Sequence, residues 1–274
     1  MNTLQTFASS DLHISLSAEP IFHIGSFPVT NAMLLGFVGV AVTLWIFFYV
    51  AGKVKTGNTN RFVGLIQWVF ETLLKSVDEV MPNKVLARKV APTAITIFFF
   101  VLINYWISIL PGVGPITWNG VPLFRGLTAD LNFTFAIAII TMVGVQFYAI
   151  KFHGAYGNAK RYFKNPIKDP IGAFEGILEF IGEFSRAVSL SLRLFGNAFA
   201  GEVLLIIVAI LTSYFSVVAL PLFMAFELFI GFIQAYVFFI LTLIFTSLAQ
   251  ESHGEVHAPD HSPTVSAKKA SQLE

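Results

Sequence analysis

Three ionisable residues stand where this chain is otherwise most apolar: Arg193, Glu202 and Glu227. A central arginine costs about 2.5–3.5 kcal/mol on membrane-insertion scales. It cannot shed that cost by losing its proton, because its pKa lies above about 12. Snorkelling or a structural ion pair is one answer; a fixed positive charge facing an ion pathway is the sharper one. At about 100° per residue, Glu179, Arg186, Ser189, Arg193 and Asn197 fall on one helical stripe. Glu202 comes nine positions after Arg193, so it points to the opposite side and lies about 13 Å further along the axis.

Glu202 precedes Phe215 by thirteen residues and Glu227 follows it by twelve. A tight turn at Phe215 between two antiparallel helices would bring the two carboxyls level. Level carboxyls in one half of a membrane suggest a wet cavity; a structural pair sharing one proton is the alternative. Gln234 shares nearly the same face as Glu227 and reaches the level of Arg193, as packing glue or as a pathway residue. Asp130 and Asn132 open another apolar stretch, where helix capping competes with a pathway role for Asp130. The histidines at 13, 23, 153, 253, 257 and 261 fall in loops or termini, and Cys is absent, so no metal site is expected. No phosphate-cradling loop occurs, so neither nucleotide nor another cofactor is expected on this chain.

These residues need a scaffold solvated by lipid. Lys and Arg number 17, Asp and Glu 16, together 12% of 274 residues, where an ordinary soluble domain carries about 25%. Hydrophobic residues reach 55%, with 30 Phe. The net charge of +1 gives no reason to expect nucleic acid. A spanning helix needs about 20 apolar residues, and five stretches qualify: 31–52, 92–111, 130–150, 172–212 and 217–250. The second is expected to open at Pro92, a helix-start signal. The fourth, at about 60 Å, exceeds a hydrocarbon core of about 30 Å and must tilt or run on into water. Residues 61–82 are apolar on one side only, the pattern of an interfacial helix.

The expected fold is therefore an all-α integral membrane protein. Five transmembrane helices and one interfacial amphipathic helix build it, the last two spans forming a long tilted antiparallel hairpin. Residues 1–30 lack the basic start of a cleaved signal and are expected as an outer-side segment. Residues 31–250 form a single membrane domain, and 251–274 a flexible tail rich in His, Ser, Pro and Lys. Basic residues crowd two loops, Lys53 to Lys89 and Lys151 to Lys168, whereas the loop from 112 to 129 holds only Arg125. By the positive-inside rule the N-terminus is outside and the C-terminus cytoplasmic.

The run from Ser189 through Arg193, Phe195, Gly196, Asn197 and Gly201 to Glu202 closely resembles the signature of subunit a of F-type ATP synthases. Thr128-Ala129-Asp130-Leu131-Asn132 resembles a second motif of that family, and Glu227 through Gln234 to Phe238 resembles its last helix. Some members carry His where this chain has Glu227. The resemblance spans about 31–251 and implies a stator subunit in a bacterial inner membrane. Its partners would be a rotating ring of subunit c, the subunit b peripheral stalk and the rest of the synthase. It implies proton access from outside past Glu202 and Glu227, with Asp130, Asn197 and Gln234 on the same path. Release on the inner side would pass Glu179 and Ser189, and Arg193 would separate the two half-channels while meeting each ring carboxyl. Proton against sodium stays open.

Two rival classes fit less well. A secondary transporter usually shows paired repeats and broken midplane helices, and this chain shows neither. A retinal pump would need a Lys in its last helix, and residues 220–250 contain none.

Overall fold

The computed structural model describes residues 15, 17–57, 60–110, 113, 116–118, 121–162 and 170–251. Expectations for the tail after Glu251, and for Lys164 and Lys168, lie outside the described residues. Among the described residues the first regular element is an antiparallel hairpin, β1 (Pro20–Ile24) and β2 (Phe27–Thr30), turning at Gly25 with φ 64°. Helices α1 (Asn31–Lys55), α2 (Arg61–Val80) and α3 (Lys84–Ile109) follow. A loop carries the two-residue strands β3 (Thr117–Trp118) and β4 (Val121–Pro122) and a 3-10 turn, Leu127–Ala129. Then come α4 (Leu131–Tyr162), α5 (Pro170–Thr212), a second 3-10 turn at Ser213–Phe215, and α6 (Ser216–Glu251).

Among the described residues, five helices are long and apolar enough to cross a membrane: α1, α3, α4 as far as Lys151, α5, and α6 as far as Ala249. The protein is a multi-pass, all-α membrane protein. Helix α2 is not among the five. It buries Val63, Leu73 and Val77 and exposes Phe62, Leu65 and Trp68, as an interfacial helix should.

The start of α3 corrects the expectation built on Pro92. The helix begins at Lys84, and Pro92 sits inside it. Asn83 supplies the start, its side chain accepting from the backbone N–H of Val85 (3.1 Å) and Leu86 (3.3 Å). Leu86, Ala87, Val90 and Ala91 then pack in the same core as Leu73, Val77 and Met81. That burial draws the helix out past its apolar segment. The turn that Pro92 weakens is flanked by Tyr148 of α4, whose hydroxyl donates to the Lys89 carbonyl at 3.0 Å.

Helix α3 is the central element. Phe98, Phe99, Val101 and Tyr105 of α3 share one core with Leu190 and Leu194 of α5 and with Ala235, Phe238 and Leu243 of α6. Small residues allow the closest approaches. A side chain on Gly39 would overlap the carboxamide of Asn104, a buried residue whose Nδ2 donates to the Phe100 carbonyl at 2.8 Å. Helix α4 bends at Gly154, φ 78°, a conformation suited to glycine. The bend carries Tyr162 back to Gln146, sixteen residues earlier, at 2.9 Å.

The N-terminal hairpin, the α3–α4 loop and the α5–α6 turn thus lie at one end of the bundle, the loop end. Lys53, Lys55, Lys84, Lys151 and the start of α5 lie at the other, the basic end. Gly39→Val should destabilise the fold by about 1–3 kcal/mol through overpacking, read as a lower thermal midpoint in detergent. Gly52→Val, in open space, should leave that midpoint nearly unchanged.

Candidate functional site

Glu227 is 3% exposed, in the first half of α6. Its Oε2 accepts from the Tyr105 hydroxyl at 3.0 Å, and Tyr105 is itself only 1% exposed. Two glycines make room. The Glu227 carboxyl lies against Gly201 of α5, where a side chain would overlap it, and the Tyr105 ring lies against Gly231 in the same way. Because Gly201 adjoins Glu202 in sequence, the two glutamates occupy the same level of the helix pair.

Glu202 turns toward the α3–α4 loop. Its Oε1 accepts from the Gly126 N–H at 3.1 Å, and its Oε2 lies 4.0 Å from Arg125 Nε. Gly126 is another close approach: an added Cβ would meet Glu202 Oε1 at 2.6 Å and Ser108 Cβ at 2.8 Å. Arg125 donates through Nη1 to the Ser17 carbonyl at 2.6 Å and through Nη2 to the Ala129 carbonyl at 3.3 Å. Its guanidinium also lies 6.0 Å from the Phe199 ring centroid.

On α5 the buried stripe runs through Leu190, Ser191, Leu194, Ala198 and Gly201. Ser191 is fixed there by a hydrogen bond from its Oγ to Thr134 Oγ1 at 3.2 Å. At about 100° per residue, Arg193 and Glu202 flank this stripe on opposite sides. Arg193 is exposed beside Ser189, Leu192, Gly196 and Ala200. No hydrogen bond or ion pair joins Arg193 to another of the described residues. The structure thus sets Glu202 and Glu227 at one level of the bundle, with different partners, and holds Arg193 apart.

Asp130 is buried and its Oδ1 accepts from the Asn132 N–H at 3.0 Å, the geometry of a helix cap. Asn197 and Gln234 are half-buried, and Glu179 is half-buried toward the basic end of α5. Sequence reasoning passed over Tyr105, the grip of Arg125 and Gly126, and a cluster around Glu183. There, Gln146 Nε2 and the Tyr162 hydroxyl donate to the Glu183 carboxylate at 2.6 and 2.7 Å, with Arg186 Nη2 at 3.9 Å. Arg186 also lies 4.9 Å from the Phe245 ring centroid. The i, i+3 spacing of Glu183 and Arg186 was the signal available for this cluster.

A family profile described as ATP synthase A chain matches residues 33–247, from α1 to the last turns of α6. The chain belongs to the ATP synthase A chain family. ATP synthase subunit a of Aliivibrio salmonicida is 34% identical over 226 residues, 80% of each chain. The Mycobacterium ulcerans ATP synthase subunit a is 30% identical over 233 residues, 83% of this chain and 90% of the relative. That of a Marinomonas species is 30% identical over 223 residues, 77% and 78% of the two chains. The ATP synthase A chain match encloses Arg193, Glu202, Glu227, Tyr105 and Arg125.

Tyr105→Phe removes one oxygen and leaves Glu227 buried without that donor. The expected loss is about 1–3 kcal/mol of stability, seen as a lower unfolding midpoint of the purified protein. Tyr236→Phe, on an exposed side chain, should leave the midpoint in place.

Proposed function

We propose that this chain is the proton-translocating stator subunit of an F-type ATP synthase, set in a bacterial plasma membrane. The observation that carries the reading is Arg193: a permanent charge, exposed in mid-helix, turned away from both clustered carboxyls. A fixed cation on an open helix face needs a partner, and a ring of subunit c supplies one carboxyl after another. Subunit b and the rest of the synthase complete the complex. Glu202 and Glu227 line the access path from the loop end, with Asn197 and Gln234 beside it toward Arg193. Asp130 caps α4 at the mouth. Glu179 and Ser189 line release at the basic end.

The order of events follows from charge. A proton from outside passes the two glutamates and neutralises a ring carboxylate, which can then travel through lipid at low cost. After a full turn the carboxyl approaches Arg193 from the other side. The guanidinium favours the ionised carboxylate there, so the proton leaves toward the basic end. Arg193 also repels any proton attempting a direct crossing. The driving energy is about 2.3 kcal/mol per charge per 100 mV. The chain itself binds no nucleotide in this scheme; it couples proton flow to rotation.

Arg193→Ala should abolish ATP-driven proton pumping in inverted vesicles while the complex assembles, and normal pumping by assembled mutant would sink the assignment. Arg193→Lys should also fail substantially, because an ammonium lacks the planar five-donor spread. Orientation has its own test. Cys placed at position 157 should react with a membrane-impermeant thiol reagent only from the cytoplasmic side, and Cys at 120 only from outside. Reversed labelling would exchange the access and release paths.

A further inference from the structure

Arg125 is the only basic residue between Ile109 and Leu131, yet its side chain is 9% exposed. A buried guanidinium is costly unless charge and hydrogen bonds compensate it. The carbonyls of Ser17 and Ala129 satisfy part of its donor fork, and Phe199 offers a ring face. Glu202 of α5 brings a countercharge to 4.0 Å from its Nε. Two consecutive loop residues therefore face one carboxylate: Gly126 N–H donates to Oε1 at 3.1 Å, and the Arg125 charge stands 4.0 Å from Oε2. The loop is itself held from behind: Asn31, buried at the start of α1, donates through Nδ2 to the Pro122 carbonyl at 3.2 Å. The Glu202 side chain remains 28% exposed. Without these contacts its flexible stem would let the carboxylate leave Gly126, and so the level of Glu227.

We propose that Arg125 is a positioning residue of the access path: with Gly126 it holds the Glu202 carboxylate in register with Glu227, between water and the buried acid. The proposal rests on the reading of Glu202 as an access residue given above. Arg125 touches no transferred proton in this scheme; it acts through Glu202.

The test is a double-mutant cycle on passive proton conductance in inverted vesicles, normalised to the subunit incorporated in the assembled membrane sector. Arg125→Gln should lower conductance severalfold, the scale of losing one close countercharge. Arg125→Lys, which keeps the charge, should restore most of it. On a Glu202→Gln background the same Arg125→Gln change should add almost no further loss, because the carboxylate it positions is gone. If Arg125→Gln does not assemble, Arg125→Lys carried through the same cycle decides the matter: any loss it shows should vanish on the Glu202→Gln background. Equal fold-losses on both backgrounds, or normal conductance in an assembled Arg125→Gln sector, would overturn the role of Arg125. Normal conductance in Glu202→Gln alone would instead remove Glu202 from the path, and the positioning role with it.

Discussion

A carboxyl group placed among apolar helices must find its partners chiefly within the protein, because lipid offers none. Much of the loop-end half of this bundle follows from meeting that demand twice. Glu227 requires a donor, so Tyr105 of α3 is buried opposite it. Tyr105 requires a place for its ring, so α6 carries Gly231. The carboxyl itself requires room beside α5, so Gly201 stands there. Glu202, one residue on, cannot share the same donor and is served from the loop by Gly126 and Arg125. Three helices and a loop are thereby fixed around two acids.

The basic end solves a like problem differently. Glu183 of α5 is met by Gln146 and by Tyr162, both from α4, because the left-handed bend at Gly154 folds that helix's last turns back. Arg186 completes the group from the same face of α5. The 43-residue α5 is therefore tied to the bundle near both ends, by Glu202 and by Glu183. Between them, on the exposed face of the helix, stands Arg193.

Much of this was legible in the residues. The spans stand out because lipid tolerates few charges over about 20 residues, and the same rule makes Arg193, Glu202 and Glu227 conspicuous. Counting from the turn at Phe215 placed the two acids level, since both helices rise by the same amount per residue. The start of α3 was not legible from Pro92: the cap at Asn83 and the burial of Leu86 and Val90 against α2 are tertiary facts. The N-terminal hairpin went unread although Gly25-Ser26 between two short runs was its turn signal; four- and five-residue strands carry little periodicity. Tyr105 could not be found by pattern at all. It meets Glu227 across 122 residues of chain, and an aromatic among thirty phenylalanines draws no notice.

The grip on Glu202 also has a history written into it. Ser17 and Arg125 are 108 residues apart, and Gly126 and Glu202 a further 76. Synthesis runs from the N-terminus at about 5–20 residues per second, so the loop waits about 4–15 s before its carboxylate is made. During that interval the guanidinium of Arg125 has carbonyls for company but no countercharge from α5. Arrival of residue 202 at the loop end brings a carboxylate to 4.0 Å from that guanidinium. The loop-end site is thus completed late in synthesis, by a residue of the fifth and longest helix.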